Sequence, residues 1–281
     1  MRKTLLLLCT LAALASAGAA QQAPWFFLQL SDPQFGMYEA NAGFDQERAN
    51  FEFTIATANR LHPAFVIVTG DMVNKAGEPE QIRAYREIAR KLSPGIPIYQ
   101  VAGNHDVGNQ PTAESLATYR RNFGPDYFSF RSGNLAGLVL NSVIIHSPAN
   151  VPEELAKQEK WLINELEKAR QEGIRNLVVF QHHPFYVKEV GEPDQYFNIP
   201  LERRAKYLAL LERYGVKYVF AGHYHRNAVV RTPALEVVTT GPVGVPHDKE
   251  GSGMRIAIVR ESGIEHRFYG LGMLPNRIEL K

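Results

Sequence analysis

Five short apolar runs, each ending on a residue able to bind a metal, constrain this chain more than any other feature of it. Trp25–Leu30 runs into Ser31-Asp32-Pro33-Gln34, and Phe65–Thr69 into Gly70-Asp71-Met72-Val73-Asn74. Ile96–Ala102 runs into Gly103-Asn104-His105-Asp106, and Asn176–Phe180 into Gln181-His182-His183-Pro184. Val216–Ala221 runs into Gly222-His223-Tyr224-His225. Runs this short, bounded by turn residues, predict buried strands. In an open α/β sheet, ligands bind outside the carboxyl ends of the strands, so residues far apart in sequence can meet in one cleft.

The segments between these runs complete an α/β pattern. Helical spacing covers Gln46–Leu61, Pro79–Leu92, Thr112–Asn122, Pro152–Gln171 and Pro200–Tyr214. Tyr127–Ser132 and Leu135–Ser142 read as a hairpin about Gly133-Asn134. Shorter strands are expected at Ala228–Arg231, Leu235–Thr239, Met254–Val259 and Glu265–Tyr269, and a surface loop at Lys188–Asn198. Strand–helix alternation followed by late strands predicts one α/β domain with a mixed sheet, spanning residues 23–281.

The amino terminus reads differently. Arg2 and Lys3 precede an apolar run from Leu5 to Leu14, and small residues follow through Ala20. This is the pattern of a secretory signal over residues 1–20. The run is shorter than the ~20 apolar residues of a spanning helix, so cleavage is expected rather than a membrane anchor. The expected location is secreted or periplasmic. Losing Arg2 and Lys3 makes the remaining Lys and Arg equal in number to the 29 Asp and Glu. No basic excess suited to a nucleic-acid groove is left. Cys9, the only cysteine, leaves with the signal, so thiolate ligands and thiolate nucleophiles are excluded.

What remains at the strand ends is oxygen and imidazole, a donor set suited to Mn, Fe, Zn, Co or Ni. An aspartate can bridge two ions with its two oxygens. Two ions about 3.5–4 Å apart clamp the attacking and leaving oxygens of an in-line displacement. Taken singly, Asp32-Pro33 is an ordinary turn and Gly70-Asp71 an ordinary strand exit. Asn104-His105-Asp106 is denser in ligands than most loops. His223 and His225 would share one side of an extended segment. The five together point to a metal centre.

These motifs resemble the calcineurin-like metallophosphoesterase superfamily: Asp32-x-Gln34, Gly70-Asp71-x-x-Asn74, Gly103-Asn104-His105-Asp106, His182 before Pro184, and Gly222-His223-x-His225. Asp32-Pro33-Gln34-Phe35-Gly36, Asp126-Tyr127-Phe128-Ser129-Phe130 and Gly222-His223-Tyr224-His225-Arg226-Asn227-Ala228 look like one branch of it, calcineurin-like phosphoesterase domain-containing protein 1. With its signal segment, the chain reads as a secreted bacterial-type relative. The resemblance implies a four-layer αββα sandwich of two mixed sheets and a pair of divalent metal ions. It implies that Asp32, Gln34, Asp71 and His225 hold the first metal, with Asp71 bridging. Asn104, His182 and His223 would hold the second. It assigns catalysis to His105, with Asp106 orienting its ring. His183, next to the ligand position, is expected to point to the opposite face.

Two departures from the family pattern bear on the metals. Gln34 stands where most members have His, and Asn74 where purple acid phosphatases carry a metal-bound Tyr. The implied activity is hydrolysis of a phosphate monoester, with the branch including phosphoprotein Ser/Thr phosphatases. The alternatives are a phosphodiesterase acting on nucleotides or glycerophosphodiesters, and a metal-stabilised binding module without turnover. His247, in Pro246-His247-Asp248, is a candidate for the cleft wall. His62, His146 and His266 read as surface or packing residues, and Tyr127, Phe128 and Tyr224 as core or wall.

Replacing Gln34 by His is expected to tighten the first site, because imidazole binds late first-row ions more strongly than an amide oxygen does. Titration of metal-free Gln34→His and wild type with Zn²⁺ and Mn²⁺ checks this. Unchanged affinity for both ions would mean that residue 34 does not face the metal.

Overall fold

The computed structural model describes residues 23–280 apart from residue 175, so the expected signal segment at 1–20 lies outside the described residues. Eleven strands form two mixed sheets. The first sheet contains β1 (Trp25–Leu30), β2 (Val66–Val68), β3 (Ile98–Gln100), β10 (Gly253–Arg260) and β11 (Gly263–Gly270), in the order β11-β10-β1-β2-β3. The second contains β4 (Phe128–Ser132), β5 (Leu135–Val139), β6 (Asn176–Phe180), β7 (Tyr218–Ala221), β8 (Ala228–Arg231) and β9 (Glu236–Thr239), in the order β4-β5-β6-β7-β9-β8. β1-β2-β3 and β5-β6-β7-β9 run parallel; antiparallel strands close both edges of the second sheet and one edge of the first, where β3 forms the other edge.

Strand alternation explains the layers. A strand points successive side chains to opposite faces. Phe26, Leu28 and Leu30 of β1 pack with Phe51 and Ile55 of α1 (Asp45–Leu61) and with Tyr85 and Ile88 of α2 (Pro79–Ala89). Phe27, between them, faces the other sheet and meets Phe65, Phe180 and Phe220. In β6, Val178 and Phe180 join this inter-sheet layer. Leu177 and Val179 face Leu162 and Leu166 of α6 (Pro152–Gln171) and Tyr207 and Leu211 of α7 (Leu201–Arg213). Three apolar cores therefore separate four layers, which is the expected αββα sandwich.

The helix and strand expectations hold, with boundaries shifted by up to three residues. The differences concentrate at strand exits. The run read as a strand through Ser142 ends at Val139, and Ser142–His146 forms a short helix, α5, capped by the Asn141 side chain. Asn104–Val107 forms another helical turn, α3. The Thr112 hydroxyl caps α4 (Ala113–Phe123). Among the described residues, no helix is long and apolar enough to cross a membrane.

Candidate metal centre

The parallel strands of both sheets deliver their exits to one place, and the backbone there is unusual. Asp32, Gln34, Asp71, His223 and His225 have φ of 48°, 44°, 51°, 68° and 52°. They make up five of the eight non-glycine residues with positive φ among those described. Each such conformation costs roughly 1–2 kcal/mol for an L-residue, although Asp and His tolerate it better than most. His223 and His225 consequently do not lie along an extended segment as the sequence suggested. The chain twists at both, and their rings diverge to different partners.

Packing at these exits leaves no room for ordinary side chains at the intervening glycines. A Cβ on Gly70 would overlap the His182 ring, and one on Gly222 would overlap Ser31 and Asp32. Gly70 also has φ of 96°, which glycine alone adopts cheaply.

Six of the seven expected ligands come together. The Nδ1 of His182 donates to the Thr69 carbonyl at 2.8 Å, which fixes the tautomer. Its Nε2 then faces Asn104 Oδ1 at 2.9 Å and Asp71 Oδ2 at 3.2 Å. The Asn104 amide is oriented by donating to Asn109 at 2.9 Å and to the Tyr196 hydroxyl at 3.1 Å. Three atoms bearing lone pairs thus converge, an arrangement that repels itself unless a proton or cation lies among them. His223 donates Nε2–H to the Tyr196 carbonyl at 3.0 Å, which frees Nδ1. Ligand atoms of Asp71, His182 and His223 all lie within 4.8 Å of one another. On the other side, His225 donates Nδ1–H to the Val245 carbonyl at 2.6 Å and turns Nε2 to Asp32 Oδ1 at 3.5 Å.

Gln34 is the seventh. Its Nε2 donates to Asn74 Oδ1 at 3.1 Å, while its buried Oε1 has no hydrogen-bond partner. A buried amide oxygen left without a donor is costly, and a cation would satisfy it. The donor set therefore fits divalent metal ions on two grounds: the orphaned oxygen and the converging lone pairs.

Burial and charge act against each other here. Burial opposes charge on His182, but Asp71 and Asp32 outweigh it and lift its pKa to about 9. Burial and the neighbouring His182 charge push His223 down to about 3. Burial opposes ionisation of Asp32 and Asp71, yet the surrounding imidazoles hold both below the usual carboxylate range.

His105 and Asp106 depart from the expected pairing. The His105 ring donates Nδ1–H to the Asn74 carbonyl at 2.8 Å, so a backbone carbonyl, not Asp106, orients it. The His105 amide donates to Asp71 Oδ1 at 2.8 Å. Asp106 is buried and accepts from the amides of Gly103 at 2.9 Å, Met72 at 2.9 Å and Val73 at 3.2 Å. It ties the Asp71 turn to the Asn104 turn. The reason is geometric: as the third residue of α3, Asp106 folds its carboxylate back to the helix start, away from the His105 ring.

Sequence reasoning missed the contribution of residues 188–198. The loop lies mostly at the surface, as expected, but it is also a built wall of the site. The fully buried Arg204 donates to the carbonyls of Val190 and Glu192 at 2.8 Å and of Ile199 at 3.0 and 3.1 Å. Glu192 accepts from the amides of Val187 and Lys188 and from Asn198. The loop so fixed carries Tyr196, which contacts both Asn104 and His223, and Phe197, whose ring lies 5.1 Å from that of Tyr224. The pairing of Tyr-Phe with a buried Arg on the next helix was the available signal. His183 does not point to the opposite face: its ring lies 4.2 Å from that of His223 and 5.2 Å from that of His182, behind them, with Nδ1 on the Ser142 hydroxyl at 3.1 Å and His146 stacked at 4.8 Å. His247 stacks on His225 at 4.6 Å and lines the rim.

A family profile described as calcineurin-like phosphoesterase matches residues 27–227. The chain belongs to that family. It is thus a metal-dependent phosphoesterase. The serine/threonine-protein phosphatase CPPED1 of Bos taurus is 36% identical over 269 residues, spanning 90% of this chain and 86% of the relative. A dimetal phosphatase from Danio rerio has the same fold, with a TM-score of 0.64 at 14% identity, covering 89% of this chain and 97% of that one. The purple acid phosphatase PPD1 of yellow lupin superposes with a TM-score of 0.66 at 13% identity, covering 88% of this chain and 52% of that one.

Asp106→Ala is expected to destabilise the metal-free protein by about 3 kcal/mol or more, because three buried amides lose their acceptor at about 1–3 kcal/mol each. Urea unfolding in the presence of a chelator measures it. A loss of activity with unchanged chelated stability would restore Asp106 to a role at the reaction centre.

Proposed function

We propose that this chain hydrolyses phosphate monoesters, phosphoserine and phosphothreonine in proteins among them, with two divalent ions held side by side. Asp32, Gln34, Asp71 and His225 would hold the first ion, and Asp71, Asn104, His182 and His223 would hold the second. The observation that carries this reading is the convergence on Asp71, with one carboxylate oxygen beside His182 and the other at the His105 amide. The relative named a serine/threonine-protein phosphatase, alike over nearly its whole length, supports the substrate class. The charged start and apolar run at residues 2–14 support export to the periplasm or beyond.

When bound, divalent ions there would supply Lewis acidity toward the phosphoryl oxygens and lower the pKa of the attacking water. The chain's own residues supply the rest. His182, His223 and His225 each have one ring nitrogen committed to a backbone carbonyl, so the other is presented without reorganisation. His105 keeps Nδ1–H on the Asn74 carbonyl and, when protonated, can give its Nε2 proton to the departing alkoxide. It returns to the neutral Nδ1–H tautomer, which the same carbonyl holds. Tyr196, Phe197 and Tyr224 wall one side with aromatic surface, and His247 stands on the other.

The deciding experiment compares para-nitrophenyl phosphate with its bis-ester on protein loaded with Mn²⁺. Faster turnover of the monoester is expected. Preference for the bis-ester would make the chain a phosphodiesterase, and negligible turnover of both with metal bound would leave a binding module. Metal analysis should find two ions per chain; one or none would remove the two-metal reading.

His105→Ala is expected to keep both ions and lose ~10²–10⁴-fold in rate on esters with poor leaving groups, the usual worth of a positioned acid. The loss should be much smaller for para-nitrophenyl phosphate, whose leaving group departs unaided. Rate against leaving-group pKa, with metal content measured in parallel, tests the acid role, which a uniform loss would remove.

A further inference from the structure

The layer between the sheets is apolar except along one line. Gln29 shares the inward face of β1 with Phe27, and Arg255 shares the inward face of β10 with Ala257 and Val259. Gln29, Ser31, Thr69 and Thr240 are fully buried, and Arg255 is 3% exposed. Among the described residues Arg255 makes no ion pair with a carboxylate. A buried guanidinium without one is expensive, so its placement calls for a reason.

The hydrogen bonds supply one. A guanidinium only donates. Arg255 Nε donates to Thr240 Oγ1 at 2.7 Å, so the Thr240 proton must go elsewhere, and it lies 2.6 Å from Gln29 Oε1. That fixes the Gln29 amide with Nε2 facing Thr69 Oγ1 at 3.1 Å and the Ala221 carbonyl at 3.0 Å. Thr69 Oγ1 is 2.9 Å from Ser31 Oγ, with the Leu30 carbonyl at 3.1 Å as a second acceptor. The Ser31 hydroxyl donates to Asp32 Oδ2. Five hydrogen bonds thus link a fixed cation to a carboxylate, and all point one way when the Thr69 hydroxyl donates to Ser31, the nearer of its two acceptors. The His223 amide also donates to Asp32 Oδ2, at 3.0 Å, while Oδ1 is the oxygen beside His225. The remaining guanidinium nitrogens donate to Asn227 at 2.7 Å and to His266 Nδ1 at 3.0 Å, and His266 donates onward to Glu236 at 2.9 Å.

We propose that Arg255 is a positioning residue for the metal centre: through Thr240, Gln29, Thr69 and Ser31 it fixes the orientation of the Asp32 carboxylate, with Oδ2 engaged and Oδ1 turned to the first ion. This rests on the two-ion reading above. Aligned donors polarise one another, so a chain anchored on a cation gives a stronger and more directional hydrogen bond at its far end than Ser31 alone would. It also places no positive group at the site itself, where one would repel the metal.

The test is titration of metal-free protein with Mn²⁺ by calorimetry, with chelated thermal midpoints measured alongside. Thr240→Val removes one hydroxyl between Arg255 and Gln29. It is expected to weaken one of the two binding steps by ~10–100-fold, the usual effect of losing a partner behind a ligand, and to leave the other step unchanged. Thr240→Ser keeps the hydroxyl and is expected to restore wild-type affinity. Ser31→Ala cuts the far end, and in the Ser31→Ala/Thr240→Val double variant the two losses should not add, since one break already severs the chain. Wild-type affinities in Thr240→Val, equal weakening of both steps, no rescue by Thr240→Ser, or additive losses would each overturn the proposal. Should Thr240→Val not fold, Ser31→Ala with Arg255→Gln makes the same cycle. If wild-type protein binds no ion, the two-ion reading fails and this proposal with it. If wild type binds two and the variants behave as wild type, the proposal alone fails.

Discussion

Three carboxylates, Asp32, Asp71 and Asp106, are buried at the seam of the two sheets without a Lys or Arg ion-paired to any of them among the described residues. Buried charge must be compensated, and the surrounding structure reads as the means of doing so. Asp106 is met by backbone amides, and burial with the nearby Asp71 charge still pushes its pKa well above the usual range. Asp71 is met by an amide and by His182, and Asp32 by a hydroxyl, an amide and His225. Imidazoles are weak compensation, because burial opposes their charge as well. A cluster so deficient in fixed positive charge is built for mobile cations. The phosphoesterase family membership and this electrostatic deficit are two independent grounds for a metal requirement.

Compensation by backbone groups also explains the contorted geometry. An amide reaches a neighbouring carboxylate only if the chain turns sharply. The left-handed residues Asp32, Asp71 and His223 do this within the exits of three different strands. The His223 amide reaches Asp32, while the Asp71 carboxylate accepts the amide of His105. Backbone strain and carboxylate solvation are therefore one feature. The tight exits in turn require Gly70 and Gly222, whose absent Cβ atoms leave space for His182 and Asp32.

Sequence made the ligands legible because each follows an apolar run, and strand exits in parallel sheets share one edge. It also made the four layers legible through strand alternation at Phe26-Phe27-Leu28 and Leu177-Val178-Val179. It did not make Asp106 legible: the residue after His105 could orient its ring or cap its own helix, and that choice depends on whether Asn104–Val107 is helical. Nor did it reveal the extended-looking Gly222–His225 as a double twist, since propensity is blind to an amide that must reach Asp32. The part played by Tyr196 was hidden because it is an exposed residue of a polar loop, and the residue that fixes that loop, Arg204, lies on the following helix.

Gln29 and Arg255 were concealed for a related reason. Each sits in a strand at a position whose neighbours on the same face are apolar, so alternation alone assigns both to a greasy layer. A polar residue there breaks the pattern, and such breaks are expected where function overrides packing. The break is not local: the Gln29 side chain is satisfied by residues 40, 192 and 211 positions away. Inserting a polar line across that layer removes apolar burial and couples both sheets to one carboxylate. The position of Asp32 then depends on the relative register of the two sheets, and the sandwich interface becomes part of the metal site instead of its support.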